Sequence, residues 1–278
     1  MKNIGIVGLG LMGGSFAKAL KKSGKYVVFG FDKCEETLKT AKSDKAIDFV
    51  LDEENIKIVD LLVAAVTPDK LENALSLFLP RLKDGAFVTD FCGVKKAPVS
   101  TMQKWEKEFP SLKFFGGHPM AGKEKYGYEN SDGDLFCGAY MIMVPITDEI
   151  PEKVKQVFYD TGFKKITVTD AETHDRTIAY TSELCHIVSS AFIKNKTALK
   201  HEGFSAGSLK DLTRVARLSP EMWTGLIMAN RRNVLSELDE FTENLEKYRT
   251  ALECCDEKEL LRLFEEGNAL KEKYDGEK

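Results

Sequence analysis

His118 is the residue of this sequence best suited to move a proton. It stands in Phe115-Gly116-Gly117-His118-Pro119-Met120-Ala121-Gly122, directly after an apolar run that reads as a strand. A neutral imidazole ending a strand on the ligand side of a sheet accepts a proton from a substrate hydroxyl as hydride leaves the same carbon. The N-terminus supplies the setting for a hydride acceptor. Gly8-Leu9-Gly10-Leu11-Met12-Gly13 follows apolar residues 4–7 and opens a helix-like stretch containing Phe16, Ala17 and Leu20. In a dinucleotide loop, glycines at this spacing allow a tight turn, close approach of backbone to pyrophosphate, and close packing of helix on strand, while free helix N–H groups face the phosphates. Asp32 ends the next apolar run, 19 positions past Gly13, where a carboxylate holds ribose hydroxyls and repels the extra phosphate of NADP. NAD is therefore the expected cofactor, with Lys33 the one feature that favours tolerance of NADP. Val66, Thr67 and Pro68 end a further apolar run and are expected to touch the cofactor, because ligands of open parallel sheets lie across the carboxyl ends of the strands.

A second group of polar residues lies in the later half. At about 100° per helical residue, Asp175, Ser182 and His186 fall within roughly 40° of one another. One helix face there would carry an acid, a hydroxyl and an imidazole together.

These groups need a scaffold, and glycine and proline mark its division. Sixteen of the 21 glycines and seven of the 8 prolines precede residue 171, and in that part short apolar runs alternate with charged, helix-like segments. Strands are predicted over residues 4–7, 26–31, 61–66, 86–89, 113–116, 140–144 and 166–168, mostly continuous in apolar content, as strands buried on both faces are. Helices between them complete an α/β fold, a Rossmann-type doubly wound and mainly parallel sheet. From residue 171 the apolar positions recur at threes and fours, which predicts an all-helical remainder. One helix should cover residues 171–199, another should start at Ser219-Pro220 with proline in the first helical position, and a charged helix should end the chain. The expected domains are a dinucleotide-binding domain over 1–169 and a helical domain over 170–278.

Composition excludes several classes of partner. Lys and Arg number 40 against 44 Asp and Glu, a net charge of −4 with both signs interspersed, so there is no electrostatic footprint for nucleic acid or an anionic membrane. The six cysteines, Cys34, Cys92, Cys137, Cys185, Cys254 and Cys255, lack zinc-ligand spacing, so no metal site is expected and reduced thiols in a cytoplasm fit best. Met1-Lys2-Asn3 before an apolar stretch imitates the start of a signal peptide, but the patterned glycines assign that stretch to a nucleotide loop. No apolar run has the length of a membrane span. A cytoplasmic protein acting on a small molecule is the expectation.

From His118 to Gly127 the sequence resembles the H-P-M-A-G-x-E-x-x-G motif of the prephenate dehydrogenase family. Leu135-Phe136 and residues 140–145 continue the match, followed by His174-Asp175, Thr181-Ser182-Glu183-Leu184-Cys185-His186, Asp211-Leu212-Thr213-Arg214 and Pro220-Glu221-Met222-Trp223, in the family's order and spacing. The resemblance implies NAD-dependent oxidative decarboxylation of prephenate to 4-hydroxyphenylpyruvate and CO2 in tyrosine biosynthesis. It implies His118 as the base and Arg214 as the guanidinium that grips a substrate carboxylate through paired hydrogen bonds. His186, Ser182 and Asp175 would face the substrate, Glu124 would stand at the pocket entrance, and Trp223 would line the pocket. A homodimer through the helical domain is also implied, in keeping with apolar Leu226, Ile227, Leu235 and Leu238, which exceed what a lone small domain needs.

The chain departs from the family pattern at two positions. Gly93, counted here with the cofactor-side residues, stands where the family usually has a serine near the catalytic histidine, and Lys123 stands where a smaller hydroxyl residue is common. Arogenate dehydrogenase is the nearest alternative, since its substrate differs only by an amino group in place of the keto oxygen. A 3-hydroxyacid dehydrogenase would share the glycine loop and use a lysine, for which Lys95 is the only hint. A catalytically inactive NAD-binding sensor, with Gly93 marking lost catalysis, is the alternative of another class. No appended regulatory domain is expected.

Overall fold

A computed structural model of the protein describes residues 1–200 and 202–276. Its apolar runs form one eight-stranded sheet. In chain order the first elements are β1 (Asn3–Val7), α1 (Leu11–Ser23), β2 (Val27–Phe31), α2 (Glu35–Ser43), β3 (Phe49–Val50), β4 (Leu61–Ala64) and α3 (Leu71–Leu75). They are followed by β5 (Phe87–Asp90), α4 (Lys96–Glu108), β6 (Lys113–Met120), β7 (Tyr140–Pro145), α5 (Glu152–Asp160) and β8 (Lys165–Val168). Side by side the strands run β3-β2-β1-β4-β5-β6-β7-β8, and every neighbouring pair is parallel except β6 with β7. The strand order reverses direction between β1 and β4, the crevice where such sheets bind ligands.

Strand residues alternate between two apolar layers. Ile4, Ile6, Leu61 and Val63 join one cluster, and Val7, Leu62 and Ala64 join the other, as the period of two in a strand requires. On the first face the Phe16 ring of α1 meets Phe91 edge-on at 5.1 Å and stacks on Phe158 at 5.6 Å. This ties the helix of the glycine loop to the segment after β5 and to α5. On the second face Leu71, Leu75, Phe78, Met102 and Trp105 cover the sheet.

Two differences from the sequence expectation affect the site. β6 does not stop at Gly116 but continues to Met120, because β7 pairs with it antiparallel along that whole length, His118 opposite Ile142. His118 is therefore held within a strand and does not end one. β4 is shorter than expected, and Ala65 and Val66 leave the ladder to turn along the carboxyl edge. The two-residue β3 at the sheet margin carried too short a pattern to be read from sequence.

Beyond β8 the described residues form helices only: α6 (Ala171–Ile178), α7 (Cys185–Ile193), α8 (Gly207–Thr213), α9 (Pro220–Ala229), α10 (Arg231–Glu253) and α11 (Glu257–Gly276). Asp170 caps α6 by accepting a hydrogen bond from the Thr173 N–H at 2.8 Å, the expected use of an acid before a helix. A π-helical segment, Ala179–Leu184, joins α6 to α7. The helix expected to reach residue 199 ends at Ile193, where the chain turns polar and Asn195 accepts from the Thr197 N–H at 3.1 Å. By packing, the chain divides between Asn230 and Arg231. The first unit holds the sheet with α1–α9. In the second, α10 and α11 meet through the rings of Tyr248 and Phe264, 5.4 Å apart. Among the described residues no helix is long and apolar enough to cross a membrane, and no group of three metal-ligating side chains occurs.

Candidate active site

The loop after β1 is shaped by its glycines. Gly8 has a φ of 92°, and a Cβ there would lie 2.6 Å from the Ala65 carbonyl oxygen, while one at Gly13 would lie 1.8 Å from the Gly8 carbonyl oxygen. Neither contact is tolerable, so only glycine lets the loop press against the turn after β4. Gly10 is different, because a Cβ there would meet nothing within 4 Å, which leaves open space above the loop. It caps α1 without any side-chain hydrogen bond, and the first turn of α1 holds no acid, so the helix N–H groups stay available to an anion. Leu9 completes this loop, and Leu11 and Met12 begin α1. Asp32 stands behind, its carboxylate accepting from the Leu9 N–H at 2.7 Å and the Cys34 N–H at 2.9 Å. Across the crevice, Thr67 Oγ1 is buried without a hydrogen-bond partner between Val66 and Pro68. A buried polar atom left unpaired in this way calls for a ligand group, and together these features fit a dinucleotide.

Contacts lead from that crevice to His118. The buried Cys92 thiol donates to the Val66 carbonyl at 3.3 Å. Its neighbour Gly93 approaches the imidazole: a Cβ on Gly93 would stand 3.9 Å from His118 Nε2 and 3.3 Å from Leu226 Cδ2 of α9. The space that a serine would use is thus partly taken by a leucine. His118 is part-buried, with Nδ1 2.9 Å from His174 Nε2. Burial first, then the neighbouring His174 and Lys95, hold the His118 pKa well below the usual histidine value, so the ring is neutral and fit to accept a proton.

A buried polar network fixes the strand beneath it. Lys95 and Asp90 are fully buried and paired, and the Lys95 ammonium also donates to the Gly117 carbonyl. Asp90 in turn accepts from the Gly117 N–H at 3.2 Å and the Cys92 N–H at 2.8 Å. Both backbone groups of the residue before His118 are therefore clamped. The alternative with a catalytic lysine finds no support in this placement, since the Lys95 ammonium is buried among protein acceptors.

Asp175 also requires correction. Its carboxylate is fully buried and accepts from the Lys95 N–H at 2.6 Å and the Lys96 N–H at 2.9 Å, capping α4, while His174 Nδ1 lies 2.7 Å away. Burial alone would raise its pKa, but these bonds outweigh it and hold the carboxyl below its ordinary value. Asp175 therefore stands behind His174, with its oxygens held by protein donors. The π-helical segment shifts the helical phase between Asp175 and the later residues, which is why the shared face read at a uniform pitch is broken.

The other residues read from sequence gather around His186 and Arg214. His186 stacks on Trp223 with ring centroids 3.6 Å apart, and its Nδ1 donates to the Ser182 carbonyl at 2.9 Å. Burial lowers the His186 pKa, the bond to Ser182 opposes that, and smaller effects come from Arg214 and Glu124. Arg214 pairs with Glu124 at 2.6 Å, and both line a cavity of about 480 Å³ with Lys123, Lys125, Asn130 and Arg217. Sequence reasoning missed the roles of His174, Lys95, Asp90 and the buried Glu183, whose Oε2 accepts from Asn230. The adjacent His174-Asp175 pair was the one local signal; the remaining partners are distant in sequence.

Comparison with known proteins agrees with this geometry. The chain is 29% identical over 284 residues to a prephenate dehydrogenase of Lactococcus lactis subsp. cremoris, covering 98% of this chain and 77% of that protein. It is similar to the crystal structure of a prephenate dehydrogenase from A. aeolicus in complex with hydroxyphenyl propionate and NAD+, with a TM-score of 0.85 and 28% identity over 99% of this chain and 98% of that one. A Synechocystis arogenate dehydrogenase structure matches with a TM-score of 0.81 and 26% identity, over 98% of this chain and 99% of that one. Residues 16–168 match the family model described as prephenate dehydrogenase, nucleotide-binding domain, and residues 170–266 match its dimerization domain, so with a glycine-loop crevice at one end of the site and a neutral histidine at the other, the chain belongs to the prephenate dehydrogenase family.

Proposed function

We propose that this protein is an NAD-dependent prephenate dehydrogenase that converts prephenate to 4-hydroxyphenylpyruvate and CO2 in the cytoplasm. The observation that carries the reading is His118 Nε2, on a neutral ring, presented beside Gly93 at the carboxyl edge of the sheet. Gly8–Gly13, Asp32 and the Val66-Thr67-Pro68 turn would hold NAD, which when bound accepts the hydride from the carbinol carbon of the substrate. His118 takes the hydroxyl proton, so electrons move toward a carbonyl and the ring carboxylate can leave as CO2. The same imidazolium then returns the proton to the phenolate oxygen, which leaves the base neutral for the next turnover. Arg214 would pair with a substrate carboxylate once it exchanges Glu124 for the ligand, and His186, Ser182 and Trp223 would form the adjoining wall. Helical residues 170–278 would supply this grip and a homodimer interface.

The test follows NADH absorbance together with CO2 release on mixing protein, NAD and prephenate. His118→Asn should lower kcat by about 100-fold or more with NAD affinity unchanged, and the acid limb of the wild-type kcat/KM profile should lie below pH 6.5, because burial lowers the His118 pKa. Full turnover by His118→Asn would remove the base from the mechanism. One observation favours arogenate as an alternative substrate. With Nδ1 donating to Ser182, a neutral His186 offers only an acceptor at Nε2, which suits an ammonium better than a keto oxygen. Rates of NADH formation with the two substrates decide between them.

A further inference from the structure

We infer that His174 is a positioning residue for His118: with Asp175 behind it, it fixes which ring nitrogen of His118 carries the proton and so leaves Nε2 as the free base. The inference rests on the proposed role of His118 and adds to it the reason that nitrogen is unprotonated. Asp175 already accepts from the Lys95 and Lys96 N–H groups, and its carboxyl is held below its ordinary pKa, so toward His174 Nδ1 at 2.7 Å it can only accept. His174 must therefore carry its proton on Nδ1. Its own pKa is lowered, chiefly by burial, so the ring is neutral and Nε2 holds a lone pair. That lone pair lies 2.9 Å from His118 Nδ1, which must then be the protonated nitrogen of His118. Being neutral too, His118 has one proton only, and Nε2 is bare.

Without this chain the imidazole would distribute its proton between both nitrogens, and the molecules carrying it on Nε2 could not act as the base. His174 and Asp175 are 2% and 0% exposed, so water does not compete for these bonds. The chain does not conduct protons away. Asp175 is enclosed, with its oxygens committed, and the proton taken from substrate must leave by Nε2. Its charge instead stabilises the imidazolium formed during the reaction, the logic of an acid–histidine pair in which the acid orients and is not itself protonated. The charged groups around the two rings are Asp175 on α6, Lys95 before α4 and Asp90 on β5.

Two measurements test this. In the unmodified protein, 15N NMR of labelled histidine should show His118 with its proton on Nδ1, and a proton on Nε2 would overturn the inference without any variant. Next, His174→Phe removes the acceptor, and kcat should fall about 10–100-fold while KM for prephenate and affinity for NAD stay near normal. Because the tautomer balance of a neutral ring does not change with pH, the loss should be equal at about pH 7 and about pH 9; recovery at the higher pH would instead indicate a shifted pKa and overturn the assignment. His174→Gln, which can return an amide oxygen toward His118 Nδ1, should recover part of the activity. If His118→Asn is inactive and His174→Phe is fully active, this inference fails while the base assignment stands; if His118→Asn is itself active, both fail.

Discussion

Gly93 shows how one missing side chain is compensated by a residue remote in sequence. The Cβ that a serine would bring meets Leu226 Cδ2 at 3.3 Å, closer than packed carbons normally sit, so the leucine would have to yield. Gly93→Ser should therefore lower stability by about 1 kcal/mol through crowding. Combined with Leu226→Ala, the loss should be smaller than the sum of the two single losses by about 0.5–1 kcal/mol, as for residues in contact. Urea denaturation of the four proteins measures this, and strict additivity would show that the two positions do not touch. The same residues show what a sequence reveals and what it hides. His118 was legible because its motif is contiguous and starts inside the apolar run that forms β6, and the glycine loop because its spacing is dictated by local backbone geometry. Leu226 over Gly93, and Lys95 on the Gly117 carbonyl, depend on how distant segments pack, and no local pattern carries that information.

The π-helical segment between α6 and α7 is the element whose consequences were least legible. An apolar repeat at three and four predicts a helix, and a helix is present, but one wide turn changes which side chains share a face. Glu183 lies in that segment, 2% exposed, with Oε2 bonded to Asn230 and Oε1 buried without a partner. Asn230 also donates to the Asp175 carbonyl at 2.7 Å, so the carboxyl braces the start of the histidine network. Burial, opposed by the bond from Asn230 and aided by the charge of Asp175, raises the Glu183 pKa from 4.5 to about 7. The folded protein therefore binds a proton more readily than the unfolded chain. Stability from this group is fully present below pH 4.5 and is lost as pH rises through 7, a loss on the order of 3 kcal/mol. Glu183→Gln cannot ionise, so the gap between its thermal stabilities at about pH 5 and about pH 8.5 should shrink relative to wild type. An unchanged gap would show that Glu183 titrates normally.

For the whole molecule, unsatisfied apolar surface and the distribution of charge carry the remaining consequences. α9 reads Pro-Glu-Met-Trp-Thr-Gly-Leu-Ile-Met-Ala, yet none of its residues is buried, and Met228 is 58% exposed. In the second unit Leu245, Leu252, Leu261 and Leu270 are likewise open. Apolar surface on this scale is normally covered by a partner, and light scattering should return twice the 31.1 kDa chain mass; the chain mass alone would remove the dimer from the proposal. Charge works in the opposite sense to composition. The net charge of −4 would repel a dianionic substrate, but Lys123, Lys125, Arg214 and Arg217 line the cavity, with Glu124 paired to Arg214 and Asp132 to Lys123. The average composition pointed only to a small-molecule ligand; the local field arises because the fold brings residues 123–125 beside Arg214 and Arg217. Such a cationic mouth concentrates an anion locally, and salt screens it over a Debye length of about 10 Å at 0.1 M. Raising ionic strength from about 0.02 to about 0.5 M should therefore lower kcat/KM for prephenate by about tenfold. Lys125→Gln combined with Arg217→Gln should flatten that dependence, because two cationic groups of the rim are gone and salt has less to screen. An identical slope in the double variant would mean that the substrate reaches His118 without the help of this rim.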